Sequence, residues 1–189
     1  KSKIKKISFI GDKIYKDKKL QNIIISEEYK FWKFISGKKF LNENIIELDK
    51  RLLKNFYLNK GYYDVEINTS FAKLINNDEF ELIYNINPGN KIFFNNFTLN
   101  LPNDFNADNF IKLNNLFLDY KGKPYSINNV NKILEEIDFI TLSEEYKSIN
   151  ASIEENINDD KLDISFNIEE TEKFFVERIN IFGNNVTRE

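Results

Sequence analysis

The sequence contains no cysteine, no histidine and no methionine in its 189 residues. Without cysteine there is no disulfide framework and no thiolate nucleophile. Without histidine there is no imidazole to act as a base near neutral pH or as a metal ligand. The lack of methionine, with an opening that reads Lys1-Ser2-Lys3-Ile4, leads to the expectation of a segment taken from a longer chain, any targeting signal lying upstream. Proline (3) and glycine (6) are sparse, and the glycines stand singly, so no glycine-rich loop is available to cradle a phosphate. No apolar run approaches the roughly 20 residues of a membrane helix. An excess of one charge is missing too. With 27 basic and 30 acidic residues the net charge is −3, which offers no electrostatic reason for a nucleic-acid partner. The lysines crowded before Leu20 read as a solvated face.

What is present is apolar material: 41% hydrophobic residues, with 18 Phe and 9 Tyr, enough to build a core and argue against disorder. The length suits one large domain or two small ones. Comparing the chain with itself favours two. Phe80, Leu82, Tyr84 and Ile86 alternate strictly, and so do Leu162, Ile164, Phe166 and Ile168. A period of two marks a strand with one buried face. Each copy is followed by a short strand, Phe94–Leu99 and Val176–Phe182, and the second of these echoes Ile4–Gly11. Between the strands lie helical stripes, with Ile45, Leu48, Leu52 and Phe56 in the first unit and Val130, Ile133, Leu134 and Ile137 in the second. The first stripe ends at Gly61, suited to a left-handed helix terminus. Shorter helices are expected around Asp17–Ile25 and Asn106–Asn115, and second strands at Tyr62–Phe71 and Ile149–Glu155.

Each unit therefore reads strand–helix–helix–strand–strand, an α+β fold with a three-stranded mixed sheet covered on one face by two helices. The boundaries fall at 1–89, 90–172 and 173–189, the last being the opening strand of a further, truncated unit. Pro88-Gly89 suits a boundary crossed by few contacts.

Several chemical motifs fail. Asn156-Ile157-Asn158-Asp159-Asp160 resembles a calcium loop, but Lys161 stands where glycine is needed and Asn167 where a bidentate Glu is needed, so a hairpin turn is expected. The Asn-x-Ser/Thr triplets at Asn68, Asn96, Asn150 and Asn185 are explained by the abundance of Asn. The carboxylate pairs Glu27-Glu28, Glu135-Glu136, Glu144-Glu145 and Glu169-Glu170 lie at helix faces and turns, not in a cleft that would separate their pKa values. The outward positions of the third strands (Glu81, Ile83, Asn85 and Asp163, Ser165, Asn167) provide no base-stacking platform for RNA. No catalytic residue, metal ligand or cofactor is expected, and the chain reads as a binding scaffold.

Four phrases carry a family resemblance: Ile7-Ser-Phe9-Ile-Gly11 with Val176–Asn184, Leu53–Tyr62, Asn87-Pro-Gly89, and Gly122-Lys-Pro-Tyr125. Together they resemble the polypeptide-transport-associated (POTRA) repeats of BamA-type outer-membrane assembly factors. Trp32 and Phe34, in an insertion between the helices, are similar to the third repeat of that family, so the chain resembles repeats three and four with the start of five. Unit two departs from the pattern at Glu145-Tyr146 and Glu170-Thr171. The resemblance implies a periplasmic segment of an outer-membrane protein, with a membrane β-barrel beyond this chain. The implied partners are unfolded outer-membrane proteins and assembly lipoproteins.

The resemblance also implies that the second strand is a sheet edge, able to pair with an added strand. In unit one the expected partner-binding residues are Tyr62, Asp64, Glu66 and Asn68 on the exposed face, followed by Thr69, Ser70, Phe71, Ala72 and Leu74. The alternatives are the POTRA region of a two-partner secretion transporter or of a division protein, and beyond those an enzyme of unknown type. The tail at 174–182, lacking its own unit, is expected to be disordered or to pair with a neighbour's edge.

Overall fold

The computed structural model describes residues 2–30, 40–73, 79–144, 146 and 149–170. Unit one runs β1 (Lys3–Gly11), α1 (Asp17–Gln21), α2 (Glu43–Leu58), β2 (Glu66–Lys73) and β3 (Glu79–Asn87). Unit two runs β4 (Phe93–Asn100), a 3₁₀ turn (Ala107–Phe110), α3 (Ile111–Tyr120), α4 (Ile127–Ser143), β5 (Ile149–Asn158) and β6 (Lys161–Glu170). The sheets have strand orders β1-β3-β2 and β4-β6-β5. In each, the last strand is central, parallel to the first and antiparallel to the second. The expected α+β fold is present in both units. Residues 174–182, Trp32 and Phe34 lie outside the described residues.

The opening strands explain an oddity of their sequences. Ile4, Ile7 and Phe9 are all buried, although a regular strand puts residues three apart on opposite faces. The pairing with β3 slips between Ile4 and Lys6, so Lys5 is an extra residue and the phase is reset. Unit two repeats the device, with a slip between Phe94 and Phe97 in the pairing with β6. There the Asp163 carboxylate accepts from the Asn96 N–H (3.0 Å) and the Asn95 amide (2.8 Å), satisfying groups at the bulge.

Gly11 ends β1 with φ +84°, and a Cβ there would lie 2.3 Å from the Ile86 carbonyl oxygen, so only glycine fits.

α2 begins at Asn42, whose side chain accepts from the N–H groups of Asn44 and Ile45. Its buried face is Ile46, Asp49, Leu53 and Tyr57, one residue away from the expected stripe of Ile45, Leu48, Leu52 and Phe56. The expected stripe forms the half-buried flank, with Phe56 edge-on to Tyr15 at 4.8 Å. The true face was hidden because one of its members is a carboxylate.

Asp49 is completely buried. A carboxylate removed from water is costly unless its lone pairs are filled. Here the Ile25 N–H donates at 2.6 Å, the Ser26 N–H at 3.2 Å and the Tyr84 hydroxyl at 2.7 Å. One side chain thus ties α2 to the segment after α1 and to the central strand β3. Burial first, and then the neighbouring Asp49, push the Tyr84 phenol well above its ordinary range, so it stays a proton donor.

In unit two the expected α4 stripe is the core face, with Val130, Ile133 and Ile137 buried and Ile140 extending it. The β5–β6 hairpin turns at Asp159-Asp160, with Asp159 left-handed at φ 55°. That accounts for the Asn/Asp-rich phrase as a turn.

Replacing Asp49 by Ala strands three donors, the buried Ser26 N–H and Tyr84 hydroxyl and the half-buried Ile25 N–H, at about 1–3 kcal/mol each. Asp49→Ala is therefore expected to cost at least about 3 kcal/mol. Asp49→Asn, which keeps an acceptor oxygen, should cost less. Urea denaturation of the two variants checks the order.

Candidate functional site

A three-stranded sheet has two edges, and in both units they differ. The outer edge of β1 is occupied by its own chain. The Tyr29 N–H donates to the Ile4 carbonyl (2.6 Å), the Ile7 N–H donates to Glu28 (3.1 Å), and Leu41 N–H reaches the Ser2 carbonyl (3.0 Å). The outer edge of β4 is occupied in the same manner, with the Gly122 N–H on the Phe94 carbonyl and the Phe94 N–H on Lys123. Among the described residues no hydrogen bond reaches the outward backbone groups of β2 or of β5. Unpartnered strand edges are templates for pairing.

The expected site residues divide along β2. Glu66, Asn68 and Ser70 project to the exposed face, while Ile67, Thr69 and Ala72 are half-buried. Phe71 is 51% exposed. Asp64 is exposed but lies in the turn before the strand. Leu74 is outside the described residues.

Tyr62, expected on the exposed face, is instead buried and precedes β2. The strand starts later than expected because residues 61–65 turn out of α2 and into the contact with unit two. Gly61 adopts φ +97°, its carbonyl accepts from the Ile92 N–H at 2.8 Å, and Tyr62 forms an isolated antiparallel bridge with Lys91.

Loop residues make specific contacts across the boundary expected at Pro88-Gly89. Tyr63 packs edge-on to Tyr125 with ring centroids 5.0 Å apart, and its hydroxyl donates to Glu155 on β5. Within unit two the Tyr125 N–H donates to the Ile92 carbonyl at 2.9 Å, and the buried residues of both units form one connected cluster. Glu155 is exposed overall, yet the surrounding chain shields its carboxylate and raises its pKa above the ordinary value, opposed in part by the Tyr63 hydroxyl. Sequence reasoning missed the roles of Tyr63, Tyr125 and Glu155 at this junction. The available signal was the run of two tyrosines directly after Gly61, since one strand face could take only one of them.

Among the described residues no group of three or more acidic side chains is placed to hold a metal ion. No described helix is long and apolar enough to cross a membrane. The candidate site is an edge of peptide groups flanked by the polar side chains of Glu66, Asn68 and Ser70 and by the ring of Phe71.

Residues 2–89 match the family model for POTRA, described as a surface antigen variable number repeat. The match places residues 2–89 in the POTRA family, and the second unit repeats the same sheet topology. Two curated relatives, from Buchnera aphidicola and Neisseria meningitidis, are each named outer membrane protein assembly factor BamA. The first is 24% identical over 194 residues and 99% of this chain. The second is 27% identical over 191 residues and 100% of this chain. The chain spans 30% and 24% of those two proteins' lengths.

Among solved structures, Haemophilus influenzae BamA POTRA3-5 shares the fold with a TM-score of 0.64 at 16% identity, covering 99% of this chain and 73% of that one. POTRA1-2 of the periplasmic domain of Omp85 from Anabaena gives 0.53 at 9% identity, covering 90% and 96%. The expected numbering, repeats three and four with the start of five, fits the span of the Haemophilus structure.

The raised pKa of Glu155 fixes a sign. The folded state holds this proton more tightly than the unfolded chain, so stability falls as pH rises through the window just above the ordinary carboxylate value. Glu155→Gln is expected to raise the melting temperature at neutral pH and to leave it unchanged below about pH 4, where the carboxyl is protonated in both states. Melting curves of parent and variant at the two pH values check this.

Proposed function

We propose that this chain is a periplasmic scaffold in the arm of an outer-membrane β-barrel assembly protein, holding client strands and partner lipoproteins by strand addition at β2. The observation that carries the reading is the asymmetry of edges. The β1 edge is occupied by residues 28–29 and 40–41, whereas the outward backbone groups of β2 have no hydrogen-bond partner among the described residues. Main-chain pairing gives affinity with little sequence demand, and alternate side chains tune it. That suits an arm that must handle many different strands.

In this reading Glu66, Asn68 and Ser70 keep the edge soluble and discourage self-association. Phe71 supplies the apolar contact that an incoming alternating strand would cover. The relatives' names support the setting: each is an outer membrane protein assembly factor. The reading is of a binding module, with specificity in edge and surface rather than in a catalytic pocket.

Successive N–H groups along a strand point to opposite edges, so one of the adjacent pair Asn68 and Thr69 directs its N–H outward. Proline at that position removes an outward donor and leaves the β2–β3 pairing intact, while proline at the other breaks the sheet. Asn68→Pro and Thr69→Pro should accordingly behave differently. One should retain the parent's melting temperature and bind an alternating barrel-strand peptide about 5- to 30-fold more weakly, the effect of losing about 1–2 kcal/mol. Phe71→Ala should weaken the same peptide while leaving the fold intact. A stable proline variant with parental affinity would remove β2 as the binding edge.

A further inference from the structure

The most economical contact in the molecule is made by one side-chain amide. Asn59 is the residue at which α2 stops, and its Nδ2 donates back at 2.9 Å to the Asn55 carbonyl, which also accepts from the Asn59 backbone N–H at 3.0 Å. Its Oδ1 points the other way. It accepts from the Ser126 hydroxyl at 2.8 Å and from the Asn128 N–H at 2.9 Å.

Ser126 is the residue from which α4 starts, in an extended conformation with φ −150°, and it makes no cap of its own. A serine there would ordinarily accept from the N–H two or three residues on. Here that N–H, on Asn128, is taken by a residue of the other repeat, and the serine serves as a second donor to the same oxygen. The donor end of one amide closes a helix in the first repeat, and its acceptor end opens a helix in the second.

We propose that Asn59 is the latch that fixes the angle between the two repeats. Rotation of the second repeat about the 87–92 connection draws Asn128 and Ser126 away from Oδ1 and leaves α4 without its cap. Fixing the angle is thereby coupled to helix formation, so the latch resists hinge motion more firmly than a surface contact of the same area. The Ile92–Gly61 backbone bond and the Tyr62–Lys91 bridge form the pivot. They lie close to the connection and tolerate rotation better than Asn59, which bridges two helices.

The absence of cysteine makes the test direct. Cysteines placed at the exposed positions Arg51 on α2 and Asn115 on α3 carry spin labels, and the distance distribution between them is measured on the full chain. The parent should give one narrow peak. Asn59→Ala should lose that peak to a broad distribution. Asn59→Asp keeps an acceptor at the positive end of α4 and should stay narrow.

Circular dichroism establishes that each variant is folded. If Asn59→Ala does not fold, Ser126→Ala, which removes one bond from the opposite side, takes its place and should broaden the peak to a smaller extent. A narrow peak in a folded Asn59→Ala, or in Ser126→Ala where that variant takes its place, overturns the proposal. So does a folded Asn59→Asp as broad as Asn59→Ala.

Discussion

Both repeats depend on the parallel pairing of their first strand with their last. A parallel pair cannot be closed by a tight turn, because the chain must return to the starting end of the sheet. The returning segment supplies the two helices, and they cover the face on which Ile4, Ile7, Phe9, Leu82, Tyr84 and Ile86 are buried. With the last strand paired on one side to the first, only its other side remains for the second strand. The second strand thus becomes an edge by construction. The open edge at β2, and its counterpart at β5, follow from the connectivity and need no special residues to create them.

The same pairing shows why much of the fold was legible. Central strands carry the plainest signal, since the alternation in 80–86 and 162–168 reflects burial against helices on one face only. The opening strands looked less regular, yet their irregularity is itself a repeat. A gap of three followed by a gap of two separates Ile4, Ile7 and Phe9, and again Phe94, Phe97 and Leu99. The structure turns that gap into a bulge in both units. The sequence spacing recurs at Val176, Ile179 and Ile181, beyond the described residues.

What was illegible shares a cause: polar groups acting in buried or bridging positions. Asp49 sits on the core face of α2, and a pattern scored by hydrophobicity passes over it and settles on the neighbouring ridge. Nothing local announces that Ile25, Ser26 and Tyr84 will converge on its oxygens. Tyr62 was assigned to the strand by alternation, but alternation does not know that a second repeat packs against residues 61–63. Asn59 is one of many asparagines in the chain, and only the three-dimensional arrangement gives it two helix ends to serve. Long-range hydrogen bonds leave no periodicity.

The two polar devices bear on how the open edges could be used. A strand that pairs with β2 gains backbone bonds at about 1 kcal/mol each, and must offset the loss of its own freedom and of the association entropy. An eight-residue edge therefore gives modest affinity on its own. A client with two strand-forming stretches could engage β2 and β5 together, and the second engagement is then intramolecular, favoured by effective concentration alone. That advantage survives only where the two edges keep a fixed separation, because a floppy pair of repeats spreads the second edge over many positions. Asp49 holds α2, the segment after α1 and β3 together, and the Asn59 amide extends the same order across the junction. In the proposed role, rigidity between repeats contributes to binding without adding a single contact to the client.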